Sequence, residues 1–494
     1  MIRVGSKYQH LARGTPCFCH SPQLQRASAR LNGFSRRGFL AGFGAALAAG
    51  APRPAAAQTA GPGGVVLLRQ VRLFDGKASS LQEGLQVLIK GNTIAAIDAS
   101  NSAPPPDATV LDCGNRVVMP GLIDAHWHTL FCALPAAILM TADPGYIFTA
   151  ATAEAERTLL RGFTTVRDLG GAVFSFKQAI DDGLIPGPRI FPSGAMITTS
   201  GGHGDLRQLS DLPRNPTHFS TVETIGGAAI ADGVGEVRLR AREQLLQGAS
   251  QLKVAGGGGV SSPRSPLDMT SFSDAELQAA VDVARGWNTY VTVHAYAPYT
   301  IQRAIAAGAA CIEHGHLMDE ETARRMAGEG IWLSLQPFLS ADDSVPLAGP
   351  SEDRLLLVVA GTETAYGLVC KHNIRTAWGS DMLFSPAMTA RQGNMLTHLA
   401  KWYDNGAILR LATSINAELL GLSGPRNPYP GKLGVLEQGA FADLLVVDGD
   451  PLDEIRLLED PGRNLVVVMK DGKIYKNTLP AQAAVSGESS SPRQ

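Results

Sequence analysis

The chain has 494 residues, of which 45% are hydrophobic and 18% charged, and its formal net charge at pH 7 is -2. The length exceeds that of one small domain, and the composition, with 54 Gly and 30 Pro, is typical of a globular protein rather than a fibrous one. Residues 1–57 hold eight basic and no acidic residues, which leaves 35 Lys and Arg against 45 Asp and Glu in the remainder. We therefore expect no nucleic-acid binding by this acidic body.

The first 57 residues have the layout of an export signal. Basic residues precede an apolar run over residues 39–50 and three small residues at 55–57. Residues 35–40, Ser-Arg-Arg-Gly-Phe-Leu, are similar to the twin-arginine signal, which directs folded proteins out of a bacterial cytoplasm. The apolar run is too short to span a membrane comfortably. We expect a cleaved signal peptide, no stable membrane span and a periplasmic or secreted product; a membrane anchor or a chance Arg pair is the alternative.

Four cysteines follow this leader, and their spacing shows no C-x-x-C pair. They are Cys113, Cys132, Cys311 and Cys370. Without metal-type spacing, they are expected to be buried small side chains rather than metal ligands. The spacing leaves a disulfide open, because the predicted compartment is oxidising.

Short β-type segments separated by turns occur near both ends of the chain. The first set covers residues 64–118, with turns at residues 75–76 and 90–92, and a similar pattern returns over residues 432–477. We expect the two sets to pair into a small β-sandwich domain built from both chain ends. The tail, residues 478–494, is rich in Ala, Ser and Gly and is expected to be disordered.

Between these segments, residues 119–431 alternate short apolar strands with amphipathic helices. One helix is predicted over residues 273–285, with Ser273 as the N-cap and Glu276 three residues later. The alternation predicts an α/β fold, either a (β/α)8 TIM barrel or a doubly wound sheet, and periodicity alone leaves both open.

Metal-binding residue types fall at the ends of five predicted strands. They are His126 and His128, Lys253, His294, His314 and Asp381. In a barrel these strand ends meet at one mouth, which favours the barrel. The first two histidines are two residues apart on an extended strand, so they point to one face. A His-x-His pair alone is a weak signal, but together these nitrogen and oxygen donors are typical of a zinc-type site.

The sequence resembles the amidohydrolase superfamily over nearly the whole chain after the leader. The motifs that carry this resemblance lie at residues 120–128 (Pro-Gly-Leu-Ile-Asp-Ala-His-Trp-His), 162–168, 312–315, 379–381 and 439–444. The resemblance implies a distorted (β/α)8 barrel with a β-sandwich built from both termini. It also implies that His126 and His128 bind the more buried of two metal ions, and that His294 and His314 bind the more exposed one. Asp381 would complete the first site and handle protons.

Lys253 decides the expected number of metal ions. A free ammonium beside two cations would be repelled, whereas a deprotonated lysine can take up CO₂ and become an anionic carbamate. Residues 254–259, Val-Ala-Gly-Gly-Gly-Gly, resemble the dipeptidase-like subgroup of the family. This implies two divalent metal ions, with Zn²⁺ the expected ion, bridged by N6-carboxylated Lys253. An ordinary salt-bridged lysine is the alternative.

The implied chemistry is attack of a metal-bridging hydroxide on the scissile carbonyl, since two cations about 3.5–4 Å apart lower the pKa of a bridging water. Asp381 would accept the proton and return it to the leaving amine. The resemblance further implies that His203 and Tyr296 are catalytic and substrate-binding residues, which contact the carbonyl oxygen or carboxylate of the substrate. Alternatively, His203 caps a loop and Tyr296 packs at the rim. The motif favours His314 over His316 as the ligand.

These features predict a metal-dependent amidohydrolase that cleaves a peptide-like amide near a free carboxylate. Its small-molecule substrate would be a dipeptide such as Xaa-Pro or an N-acyl amino acid, including ochratoxin-type amides. A cyclic amide or lactone hydrolase similar to imidazolonepropionase is the alternative, but Lys253 counts against its one-metal forms. A deaminase would place Glu three residues after His294, where this chain has Ala297. A non-catalytic binding relative is a further alternative, and the resemblance implies a homo-oligomer.

Overall fold

The computed structural model describes residues 64–99, 103–214, 219–262 and 264–480. The predicted signal peptide and nearly all of the predicted tail lie outside these residues. Within the described ranges, no helix combines the length and the apolar character that crossing a membrane requires.

Strands from both ends of the described chain form one seven-stranded mixed sheet. They are β1 (Val65–Leu73), β2 (Gln82–Lys90), β3 (Thr93–Ala99), β4 (Ala108–Pro120), β15 (Leu444–Val447), β16 (Leu465–Lys470) and β17 (Lys473–Asn477). Their order is β17-β16-β15-β4-β1-β2-β3, and β15 pairs antiparallel with β4, which joins the two ends. Val66, Leu68 and Val446 belong to an apolar core separate from that of the barrel. The predicted β domain made from both chain ends is therefore confirmed.

Parallel strands alternating with helices occupy the middle of the chain. The strands are β5 (Leu122–Trp127), β6 (Phe163–Asp168), β7 (Arg189–Pro192), β8 (Met196–Thr198), β9 (Ala228–Ile230), β10 (Leu252–Ala255), β11 (Val291–Ala295), β12 (Cys311–His314), β13 (Trp332–Leu335) and β14 (Thr376–Trp378). They form two sheets, β5-β6-β7 and β14-β13-β12-β11-β10-β8-β9. Because β7 pairs with β6 and β8 pairs with β10, these two short strands together fill one barrel position. The strands are buried along their whole length and rich in apolar residues, as parallel strands covered on both faces are.

Helices of very different lengths connect the strands. They are α1 (Ala136–Leu139), α2 (Pro144–Leu160), α3 (Phe174–Asp181), α4 (Thr221–Thr224), α5 (Val234–Gln247), α6 (Asp274–Gly286), α7 (Pro298–Ala307), α8 (Glu320–Glu329), α9 (Pro350–His372), α10 (Pro386–Thr389), α11 (Gln392–Thr397), α12 (Asn405–Arg410), α13 (Asn416–Gly421) and α14 (Pro461–Asn464). The predicted start of α6 is confirmed, because Ser273 is its N-cap and the Ser273 N–H donates to Glu276 at 2.7 Å.

The barrel closes between β14 and β5 without a backbone ladder between these two strands. Instead, the buried Asn416 side chain connects them. Its Nδ2 donates to the carbonyl oxygens of Ile123 and Trp378, both at 2.7 Å, and its Oδ1 accepts from the Trp378 N–H at 3.0 Å. Gly379 allows this close approach, since a Cβ there would lie 2.5 Å from the backbone nitrogen of His126.

The four cysteines are all free thiols, so the described residues contain no disulfide. Cys113, Cys132 and Cys311 are buried, as predicted. The prediction is wrong for Cys370, which is exposed because it lies on the outer face of α9.

Candidate metal centre

Four of the predicted ligands converge at the barrel mouth. Ligand atoms of His126, His314 and Asp381 all lie within 4.8 Å of one another. The Oδ1 atom of Asp381 is 3.3 Å from Nε2 of His126 and 3.3 Å from Nε2 of His128. These side chains come from β5, β12 and the loop after β14, so the closed barrel seam is what brings them together.

His294 extends this group, with its ring centroid 4.4 Å from that of His314. Nε2 of His294 donates to the Gly258 carbonyl oxygen at 2.9 Å, and Nδ1 of His314 donates to Oε1 of Gln336 at 2.8 Å. Each ring thus keeps its other nitrogen unprotonated. Burial lowers the pKa of both histidines well below 6.5, which keeps them in the neutral form that binds metal ions.

Lys253 lies inside β10, as its second residue, rather than after a strand as predicted. The side chain is buried, and its Nζ atom has no hydrogen-bond partner among the described residues. Burial lowers the pKa of Lys253 from 10.5 to about 8, against the opposing effect of Glu313 and Asp381. About a tenth of the amine is therefore uncharged at pH 7, far more than for an ordinary lysine, and this is the form that reacts with CO₂.

Asp381 is ionised at neutral pH. Burial acts to raise its pKa, but the neighbouring His126 and His128 hold that pKa below the ordinary value of 3.8. The backbone is also unusual here, since Asp381 has φ 51° and His314 has φ 75°, a conformation that residues other than glycine rarely adopt. Such strain is concentrated at functional sites. Neutral imidazoles, an ionised carboxylate and a readily deprotonated lysine make a donor set that fits divalent cations.

Glu313 is a site residue to which the sequence reasoning gave no role. Its buried carboxylate has Oε2 2.9 Å from Nδ1 of His126, and its Oε1 accepts from Nη2 of Arg167 at 2.6 Å. Burial acts to raise the pKa of Glu313, but Arg167 and then Lys253 hold it well below 4.5. The carboxylate therefore orients His126 from behind. Arg167 and Glu313 both lie in motifs of the family resemblance, but the sequence alone does not show which strands face each other.

Asp124 is a second such residue, and it positions the loop that carries Asp381. Its Oδ1 accepts from the backbone N–H groups of His126 and Ser380, both at 3.0 Å. Its Oδ2 accepts from the Ser380 hydroxyl at 2.5 Å and from Gln392 at 2.9 Å. Through these hydrogen bonds, the buried Asp124 carboxylate holds the end of β5 against the loop that follows β14.

His203 and Tyr296 both reach the same group of side chains. The His203 ring stacks on His294 at 4.1 Å between centroids, and the Tyr296 ring stacks on His314 at 4.8 Å. The Ser262 hydroxyl lies 2.9 Å from Nδ1 of His203. His316 is directed elsewhere, because its Nε2 donates to the Gln336 carbonyl oxygen at 3.0 Å.

One open cleft of about 1300 Å³, counting its mouth, contains every predicted site residue. They are His126, His128, His203, Lys253, His294, Tyr296, His314 and Asp381. The volume is sufficient for a dipeptide or a larger amide. The structure therefore brings all the predicted residues together, while their roles as ligands and catalytic groups stay predictions.

The model of the amidohydrolase family matches residues 117–475. This chain belongs to the amidohydrolase family. It is similar to the ochratoxinase of Aspergillus niger, with 30% identity over 335 residues that cover 64% of this chain and 66% of the ochratoxinase. The aligned part is thus slightly less than two thirds of that relative.

Solved structures show the same similarity. A prolidase complexed with N-methylphosphonate-L-proline has 33% identity and a TM-score of 0.77, and the match covers 84% of this amidohydrolase and 100% of the prolidase. A Xaa-Pro dipeptidase with methionine in its active site has 27% identity and a TM-score of 0.72, with coverage of 84% and 100%. The predicted barrel fold is confirmed by these matches.

Proposed function

We propose that this amidohydrolase is a metal-dependent hydrolase of peptide-like amide bonds, with a free carboxylate close to the scissile bond. The observation that carries the proposal is the convergence of four histidines, an ionised aspartate and a buried lysine without a partner among the described residues in one cleft. The similarity to a prolidase, a Xaa-Pro dipeptidase and an ochratoxinase supports dipeptides and N-acyl amino acids as the substrate class.

Two divalent cations would fit the donors in the predicted division. His126, His128 and Asp381 would hold one cation, and His294 with His314 the other. Bound there, the cations would polarise the scissile carbonyl and acidify a water molecule. Lys253 would be a further ligand once its neutral amine adds to CO₂ and loses one proton, because the resulting carbamate carries the negative charge that two cations require.

The protein's own groups would manage the proton and the oxygen. Because Asp381 is ionised and lies beside two histidines, its carboxylate would take a proton from the attacking water and pass it to the leaving amine. His203 and Tyr296 would donate hydrogen bonds to the carbonyl oxygen as it gains charge. Their stacking on His294 and His314 keeps both rings rigid.

The burial of Lys253 bears on the two alternative functions, a one-metal hydrolase of cyclic amides and a non-catalytic binding relative. A one-metal hydrolase of cyclic amides has no need for a lysine at this position, and a buried amine without a partner is costly. A non-catalytic relative would have no reason to retain such an amine beside four histidines. Both alternatives are therefore disfavoured.

The test is amino-acid release by the mature protein, starting at residue 58, from a panel of N-acyl amino acids and Xaa-Pro dipeptides. We expect Asp381→Asn to lower kcat by roughly a thousandfold, since general acid–base groups contribute about 10²- to 10⁴-fold. The exposed Asp353→Asn serves as the matched control and should keep wild-type rates. Chelation should abolish turnover, and added Zn²⁺ should restore it. Full activity of Asp381→Asn, or no release from any amide, would refute the proposal.

A further inference from the structure

Above the predicted metal-site residues, the walls of the cleft are largely apolar. Leu139 comes from α1, Met196 from β8 and Val358 from α9, while Phe338 and Met382 lie in loops. Leu139 and Val358 are fully buried, so they lie just beneath the surface of the cleft. A substrate group that enters this space therefore meets mainly aliphatic and aromatic side chains.

Charged groups are nearly absent from these walls. Among the described residues that line the cleft above its floor, the one charged side chain is Asp343. Its Oδ2 accepts from the N–H groups of Leu339 and Ser340 at 2.8 and 3.0 Å, and Nδ1 of His398 lies 3.7 Å away. The carboxylate thus stabilises the turn in which it lies, and it offers no positive charge to a ligand.

Two arginines lie behind the walls, and each donates hydrogen bonds to acceptors of the protein. Arg354 donates to the Ser262 carbonyl oxygen at 2.9 Å and to the Ser351 hydroxyl at 2.8 Å. Arg207 forms an ion pair with Asp205 at 2.6 Å, and its side chain is 4% exposed. Neither guanidinium lines the cleft, so a charged substrate group there would lose water without gaining a partner.

We propose that this site selects N-acyl amino acids with a bulky, uncharged acyl group, whose single charge is the carboxylate next to the scissile amide. The inference rests on the proposed function and specifies its substrate. The carboxylate stays near the floor, where His203, Tyr296 and the cation-binding residues lie, while the acyl group is buried against the apolar walls. Selectivity comes from hydrophobic contact and from the absence of a wall cation.

The first experiment compares N-acetyl-, N-hexanoyl- and N-adipoyl-L-phenylalanine with the wild-type protein. Hexanoyl adds four methylenes to acetyl, and each buried methylene contributes roughly threefold, so kcat/KM should rise about a hundredfold. Adipoyl matches hexanoyl in carbon number but ends in a carboxylate, and it should be cleaved at least about a hundredfold more slowly.

The second experiment uses a variant that adds a positive charge to the wall of the cleft. Leu347 lines the cleft and is only partly buried, so Leu347→Lys places an ammonium at the wall with little risk to folding. We expect adipoyl cleavage to rise about tenfold and hexanoyl cleavage to fall, while the matched control Leu347→Met retains the wild-type preference.

The outcomes separate this inference from the proposed function. Equal cleavage of acetyl and hexanoyl substrates, or of hexanoyl and adipoyl substrates, would overturn the acyl selectivity and leave amide hydrolysis standing. Failure to cleave any amide in the series or in the dipeptide panel would overturn both.

Discussion

Three histidines of the site have one ring nitrogen held by a partner behind the ring. His294 donates to Gly258, His314 donates to Gln336, and Nδ1 of His126 faces the Glu313 carboxylate at 2.9 Å. Such partners fix the tautomer and the orientation of a ligand before a metal ion arrives. The site is therefore organised by the protein itself.

Ser262 plays the same part for His203. The Ser262 hydroxyl accepts from the Gly204 N–H at 2.9 Å, and among the described residues the acceptor left for its own hydrogen is Nδ1 of His203. His203 then carries its proton on Nε2 and presents a donor to the cleft. Gly259 makes room for the ring, because a Cβ there would lie 2.0 Å from Nδ1.

We predict that Ser262→Ala lowers kcat by roughly tenfold with little change in KM, since the hydrogen bond fixes a donor used in the transition state. Ser262→Thr retains the hydroxyl and should recover most of the rate. Steady-state kinetics on one good substrate measure both constants. A Ser262→Ala enzyme with wild-type kcat, or a Thr variant as impaired as Ala, would show that the contact is structural only.

At the scale of elements, strand register explains the depth of Lys253. Lys253 pairs with Thr292 across β10 and β11, two residues before His294. Side chains two apart on a strand share a face, so the lysine lies one layer deeper in the barrel than the histidine. This depth accounts for its burial and for its lowered pKa.

The seam between β5 and β14 depends on the side chains of Asn416 and Asp124 rather than on a ladder. Asn416 begins α13, directly after the π-helical turn Leu411–Ile415, and irregular turns of this kind are frequent at functional positions. The Asn416 side chain here takes the place of the backbone hydrogen bonds that join paired strands of the barrel. Asp381 and His126, on either side of the seam, are thereby held within ligand distance.

We predict that Asn416→Ala lowers the free energy of unfolding by about 3 kcal/mol, because it leaves buried backbone groups of Ile123 and Trp378 unpaired at about 1–3 kcal/mol each. Urea unfolding measures the change. Asn394→Ala, a half-buried asparagine without a side-chain hydrogen bond among the described residues, should change stability by less than about 0.5 kcal/mol. Equal stability of the two variants would mean that Asn416 does not close the seam.

For the whole molecule, the sequence was sufficient where local pattern and motif spacing carry the information. Strand-and-helix alternation predicted the middle segment, and the polar residues near strand ends favoured a barrel over a doubly wound sheet. The capping box of α6 was visible in two residues, Ser273 and Glu276. Export by the twin-arginine route stays a prediction, because its residues lie outside the described ranges.

The features of the fold and the site that the sequence did not predict depend on contacts between distant segments. Arg167 meets Glu313 from 146 positions away, and Asn416 reaches Ile123 across 293 positions. A single sequence contains these residues but not their pairing, so Glu313, Asp124 and Asn416 received no role. The exposure of Cys370 was missed because the spacing of cysteines does not report which face of a helix they occupy.

We propose above all that Lys253 enables this cleft to hold two metal ions. The most direct measurement is the zinc content per chain of the mature protein, after incubation with Zn²⁺ and bicarbonate and removal of free metal. We expect about two ions for the wild type and for the exposed Lys401→Ala control, and one or fewer for correctly folded Lys253→Ala. Equal zinc content in the Lys253→Ala variant and the wild type, or a wild type with one ion at most, would contradict it.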